Sequence, residues 1–287
     1  MGGTDGDAQG VGGSVAAAAA AERTVTELII LLQEGAEENA NASASADPLA
    51  PTQTLDTLVD ELWTAQYLAP GALCAFAGDA ISLPAGRALV APLATHALAL
   101  RFGGPAAAAG FVAHPAFDAP AAAAAAAGLL ARPPTVLAFE TRAPDDLEPL
   151  FRRGPEWEAG LDLCLVFSPT PAASPAEPIC AADAFISDLA ALAESSLAGA
   201  LQACSGRLVS PPSSGLPGAA SHALVARFER PDQAGAFLAL PPVVAAASGV
   251  EGAAAAGSPL LLVAVEAWSI APAVAGNQQA PPVGAPR

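Results

Sequence analysis

The chain has 287 residues, 53% of them apolar and only 14% charged, with a formal net charge of −17. Such a length and apolar share suit one large folded unit or two ordinary ones and exclude a disordered chain, although alanine makes up much of the apolar fraction and contributes little buried area. The acidity excludes a phosphate-binding surface for nucleic acid or anionic lipid, and because all 11 basic residues are arginine, a lysine Schiff base and the usual P-loop are excluded as well.

Residues 1–23 are small, polar and acidic early on, as expected of a disordered N-terminus and not of a signal or transit peptide. The run "TELIILL" then predicts a strand. The polar, proline-bearing stretch over residues 36–50 reads as a loop with no apolar period to bury. Leu55, Leu58, Val59 and Leu62 recur at helical spacing, with Thr54 or Thr57 as N-cap. "LCAFAG" is the next strand, and "THALALRF" alternates, so that His96, Leu98, Leu100 and Phe102 share one face while Ala97, Ala99 and Arg101 share the other. Pro105 stands where a helix can begin, and Ala121 to Ala127 form an easy helix with a weak packing face, read as a spacer. "LAFE" closes the first series as a strand, and the proline-bearing segment 145–156 reads as a linker.

The series then repeats. "LDLCLVF" is a strand, and a helix beginning at Asp183 carries Phe185, Ile186, Leu189 and Leu192. "LQACSG" and "SHALVARF" are two further strands, Pro231 opens helical material, and "VAVE" is the last strand. The tail from 273 to 287 has the composition of a disordered segment. Residues 94–117 and 220–243 align without a gap and agree at 11 of 24 positions, including His96/His222, Arg101/Arg227, Phe102/Phe228, Phe111/Phe237 and Pro115/Pro241. Glu140 and Glu266 also match, near the ends of the last strands, where the pair is expected to be solvated or salt-bridged to Arg101 or Arg227.

Each copy therefore has the order β-α-β-β-α-β. The predicted fold class is α+β: two ferredoxin-like units whose sheets pack into an intrachain pseudo-dimeric α/β barrel. The predicted domains are 24–144 and 157–272.

The motif "THALALRF", a short helix and then "GFVAHPAF" resembles the stress-response A/B barrel (Dabb) family of the dimeric α/β barrel superfamily, here in tandem. In members of that family that cyclise polyketide-like chains, a strand histidine works with a second histidine and a tyrosine in a buried apolar pocket. The family's motif is a histidine-bearing strand ending in Phe, then a Tyr, two residues and His-Pro-x-His; His96 and His222 match the strand histidine, but Phe111 and Phe237 stand at the tyrosine position, and Phe117 and Val243 at the last motif position. His114 keeps the first motif histidine, and Leu240 replaces it in the second copy. The resemblance thus implies a non-catalytic stress-associated barrel for assembly or for binding a small apolar ligand. The alternative is a polyketide-cyclase-like or cofactor-free monooxygenase-like enzyme using a strand histidine.

No catalytic residue is assigned; His96 and His222 are the candidates, expected to bond a backbone carbonyl beside the sheet. The expected ligand pocket is lined by His96, Leu98, Phe102 and Phe111, and by His222, Leu224, Phe228 and Phe237. Cys74, Cys164, Cys180 and Cys204 form no C-x-x-C pair and, with the three histidines, do not reach zinc-site spacing, so no metal is expected. No dinucleotide fingerprint or nucleophile elbow is present, nothing singles out a haem ligand, and no cofactor is expected. No window resembles a membrane span, and the cysteines read as reduced thiols, so a soluble cytoplasmic protein that can self-associate is the expectation.

Overall fold

A computed structural model describes residues 22–35, 54–81, 83, 94–147, 150, 160–167, 177–209, 220–248 and 259–269. The disorder expected of 1–21 and 273–287, the loop 36–50 and most of the linker 145–156 lie outside those residues.

The first copy runs β1 (Glu22–Leu32), α1 (Leu55–Thr64), β2 (Ala72–Ile81), β3 (His96–Phe102), α2 (Pro105–Val112), α3 (Pro115–Ala126) and β4 (Thr135–Pro144). The second runs β5 (Gly160–Phe167), α4 (Glu177–Glu194), β6 (Gln202–Arg207), β7 (His222–Phe228), α5 (Pro231–Leu238), α6 (Pro241–Ser248) and β8 (Pro259–Ser269). Three boundaries differ from expectation. β1 takes in Glu22 and Arg23, because both pair with β4. α4 begins at Glu177, ahead of Asp183. The helical material between β3 and β4 divides into two helices, since Pro115 has no N–H with which to continue α2. His114 caps the new start, its Nδ1 accepting the Ala116 N–H at 3.2 Å.

Thr54 is the N-cap of α1, and it shares a reciprocal capping box with Thr57. Leu58, Val59 and Leu62 are fully buried against the sheet, each burial stabilising by about 1.5–3 kcal/mol. Ala121 and Ala124 of α3 are buried in the same cluster, so the alanine run packs into the helix layer beside α1 and is no spacer.

The strands form one antiparallel order, β4-β1-β3-β2-β8-β5-β7-β6. Each half reads fourth, first, third, second, the ferredoxin-like order. The halves join where β2 pairs with β8, from Phe76 opposite Ser269 to Ile81 opposite Ala264. At the other two edges, Phe139 of β4 bridges to Leu208 beside β6, and the Val209 N–H donates to Ala138 O at 2.8 Å. Gly206 of β6 lies against this contact, where an added Cβ would stand 2.3 Å from the Glu140 carbonyl oxygen.

Strand alternation sorts the side chains. One face of each half packs under its own helices: Leu98, Leu100 and Phe102 in the first copy, Leu224 and Phe228 in the second. The other face is shared. Val25, Ile29, Ala97, Leu137 and Phe139 of the first half pack with Cys164, Val166, Cys204 and Ala223 of the second.

Candidate functional site

Two polar assemblies interrupt this apolar packing. The first lies on the shared face, where β3 and β7 each carry an arginine at the same register position. Arg101 sits opposite Glu27 of β1, and Arg227 sits opposite Asp162 of β5. Each pair is closed by a buried salt bridge. The arginines then reach across the halves. Arg101 Nη2 donates to Gln202 Oε1 at 2.6 Å and to Cys204 Sγ at 3.4 Å, while the Arg227 guanidinium lies 4.0 Å over the Phe76 ring. Arg227 Nη1 also donates to Leu150 O at 3.0 Å.

These groups line a cavity of about 30 Å³, room for a water or two. Arg101 Nη1 has no hydrogen-bond partner there. Burial raises the Glu27 carboxyl, with Arg101 opposing the rise. Glu140 is exposed on β4, the solvated one of its two expected states, and the arginine partners come instead from β1 and β5, the strands directly across the ladder.

The second assembly surrounds the strand histidines, on the helix side of the sheet. His222 is buried; its Nε2 lies 2.8 Å from Asp183 Oδ1 on α4, and its Nδ1 lies 2.6 Å from Ser221 Oγ. Arg207 of β6 grips the same carboxylate through two nitrogens, Nε donating to Oδ1 at 2.7 Å and Nη2 to Oδ2. Those Arg207 bonds are the main reason that Asp183 is held down at about 2, with His222 adding to them against a smaller opposing effect of burial.

In the first copy His96 Nε2 stands 3.1 Å from Asp79 Oδ1 on β2 and 3.5 Å from Asp56 Oδ1 on α1. Its Nδ1 is 3.1 Å from Thr95 Oγ1. Both imidazoles therefore sit between a hydroxyl and carboxylate oxygen, and not on the backbone carbonyl expected from the sequence.

The other predicted pocket residues lie together but are packed. Leu98, Phe102 and Phe111 are fully buried, with ring centroids 5.5 Å apart for Phe102 and Phe111 and 5.2 Å for Phe111 and Phe117. Leu224, Phe228 and Phe237 are likewise buried, with 5.9 Å between the two rings. They form the helix–sheet core; the interior cavity lies on the opposite strand face.

Several residues of both assemblies escaped the sequence reading. Glu27 and Asp162 were legible only as acids inside otherwise apolar strand runs, a pattern that asks for a buried cation. Asp56, Asp79, Asp183 and Arg207 carry no local signal, since tertiary packing brings them to the histidines.

No family model and no curated protein matches this sequence. Among solved structures, the chain is similar to an anthrone oxidase-like protein, at 12% identity over 90% of this chain and 96% of that one, with a TM-score of 0.49. It is also similar to a candidate monooxygenase of Lactobacillus acidophilus, at 9% identity over 88% and 97% of the two chains, TM-score 0.44. A third is a heme-binding protein of Thermus thermophilus, at 12% identity over 86% and 93%, TM-score 0.41. The expectation of a non-catalytic barrel for assembly or ligand binding is corrected on these findings, because these proteins are described as oxidase-like, monooxygenase and heme-binding. Likenesses at these identities and TM-scores assign no role or substrate; the ferredoxin-like order is that of the strands themselves.

Proposed function

We propose that the chain is a small-molecule enzyme of the cofactor-free oxygenase or cyclase kind, working through a strand histidine as general base. Its two copies, 24–144 and 157–272, resemble A/B barrel units and form one intrachain pseudo-dimeric barrel, a reading supported by the β2–β8 pairing and the β4–β6 contact.

The observation that carries the enzyme reading is the chain Ser221–His222–Asp183. An ionised Asp183 accepts from Nε2–H, which leaves the Nδ1 lone pair facing the Ser221 hydroxyl. Ser221 is half-buried, and in this relay its hydroxyl would take a proton from a substrate while passing its own to Nδ1. The imidazolium that results stands against Asp183, whose carboxylate Arg207 holds in place. A hydroxyl, an imidazole and an orienting carboxylate in this order make a proton relay. The substrate it suits is a small molecule with an acidic C–H or phenol whose anion reacts onward. With dioxygen as co-substrate, an activated methylene would become a carbonyl with release of water.

The test is oxygen uptake by the full chain with anthrone, whose ring methylene is acidic. Conversion to anthraquinone and water consumes one dioxygen per molecule. Saturable uptake should fall by about 10²-fold or more in His222→Asn, and Asp183→Asn should also lose most of it. Uptake equal in the wild type and both variants would overturn the reading.

A further inference from the structure

The two histidine sites differ at one station, and the difference points to a ligand. Asp79 is paired with His96 across β2 and β3, and Arg207 is paired with His222 across β6 and β7. Asp56 and Asp183 come from the first helix of their copies and meet the same Nε2. In the second copy a guanidinium neutralises the carboxylate beside the imidazole. In the first copy a second carboxylate stands in the guanidinium's place, so two acids and one imidazole nitrogen converge. Among the described residues, no guanidinium pairs with either acid.

The spacing of the three atoms is that of ligands. His96 Nε2 lies 3.1 Å from Asp79 Oδ1 and 3.5 Å from Asp56 Oδ1, and all three atoms fall within 4.8 Å of one another. Metal bonds of about 2.0–2.2 Å to imidazole nitrogen and carboxylate oxygen set neighbouring ligands roughly 3.0–3.5 Å apart. The imidazole is also oriented for the task. Thr95 Oγ1 accepts the Glu34 N–H at 3.0 Å and lies 3.4 Å from Leu32 O. With the hydroxyl turned to that carbonyl, His96 Nδ1–H donates to Oγ1, and the Nε2 lone pair faces the two acids. A metal-bound histidine is commonly held through its other nitrogen in this way. Both carboxylates are more than half exposed, which leaves an entry path and room for water ligands.

We propose that His96 Nε2, Asp79 and Asp56 form a divalent-cation site of the zinc or manganese class, doing in the first copy what the Arg207 guanidinium does in the second. The ion would tie α1 to β2 and β3. The site is separate from the Ser221–His222–Asp183 relay, so either proposal can fail alone.

The test is calorimetric titration of the chelator-treated full chain with zinc chloride and with manganese chloride. One site per chain is expected for at least one of the two ions, weakened about 10-fold or more in His96→Gln and in Asp79→Asn. Asp79→Arg rebuilds the second copy's arrangement and should abolish the site while keeping the circular dichroism spectrum and melting temperature. The proposal is overturned if neither ion binds the wild type, or if binding is shallow, multi-site and the same in Asp79→Arg, as a merely acidic surface would give.

Discussion

Glu27 and Asp162 hold the same station on the first strand of their copies, each directly across the ladder from a buried arginine. Two ion pairs thus occupy an interior that strand alternation would otherwise fill with apolar side chains. The cost of taking these charges from water is offset only while both partners are present. Arg227→Met, which strands the Asp162 carboxylate, should destabilise by about 3–5 kcal/mol in urea unfolding. Adding Asp162→Leu should recover most of that loss. A single variant as stable as the wild type would mean that Asp162 reaches water.

A backbone contact between the two edge strands can be tested at one glycine. An alanine Cβ at residue 206 would stand 2.3 Å from Glu140 O and 3.0 Å from Phe139 Cδ2. Gly206→Ala should therefore push β6 from β4 and lower the melting temperature, at a cost of about 1–3 kcal/mol. An unchanged melting temperature would show that the edges are not in contact.

The Asp183 site makes a pH prediction. Its folded value of about 2 lies below the ordinary 3.8, chiefly through Arg207. The stabilisation is therefore complete above 3.8 and is lost as pH falls through about 2. Melting temperature should decline over that window in the wild type, and less steeply in Asp183→Asn. Because this carboxylate is 40% exposed, solvent screening keeps the effect modest.

Cys74, Cys164 and Cys204 should be inert while the chain is folded. Burial pushes the Cys74 and Cys164 thiols up to about 12 and raises Cys204 as well. Iodoacetamide at neutral pH acts on thiolate, so peptide mass spectrometry should find these three modified only after denaturation. Rapid labelling of Cys204 in the native protein would mean that the interior opens.

These features were unequally visible in the sequence. The order of elements in each copy could be read, because apolar period, proline and capping threonine are local signals. The two faces of "HALALRF" could be read as well. What could not be read was which face would meet helices and which the other half, since alternation divides side chains without assigning them. The pocket was accordingly expected beside Leu98 and Phe102, where the helices pack, while the small cavity of the shared face lies beside Arg101. The carboxylates around the histidines were hidden for a related reason: Asp56 and Asp79 are distant in sequence from His96 and look like ordinary surface acids.

The seam between β2 and β8 has a consequence for how the chain is made. β2 belongs to the first copy, yet the strand that completes its ladder is the last of the eight to leave the ribosome. Until then the first copy carries two open edges, β2 and β4, each able to pair with a strand of a neighbouring nascent chain. Contacts so remote along the sequence form slowly. The hazard for this protein therefore falls during synthesis, when half a sheet waits for its partner, and Asp79 on that waiting edge places a charge where a stray strand would dock.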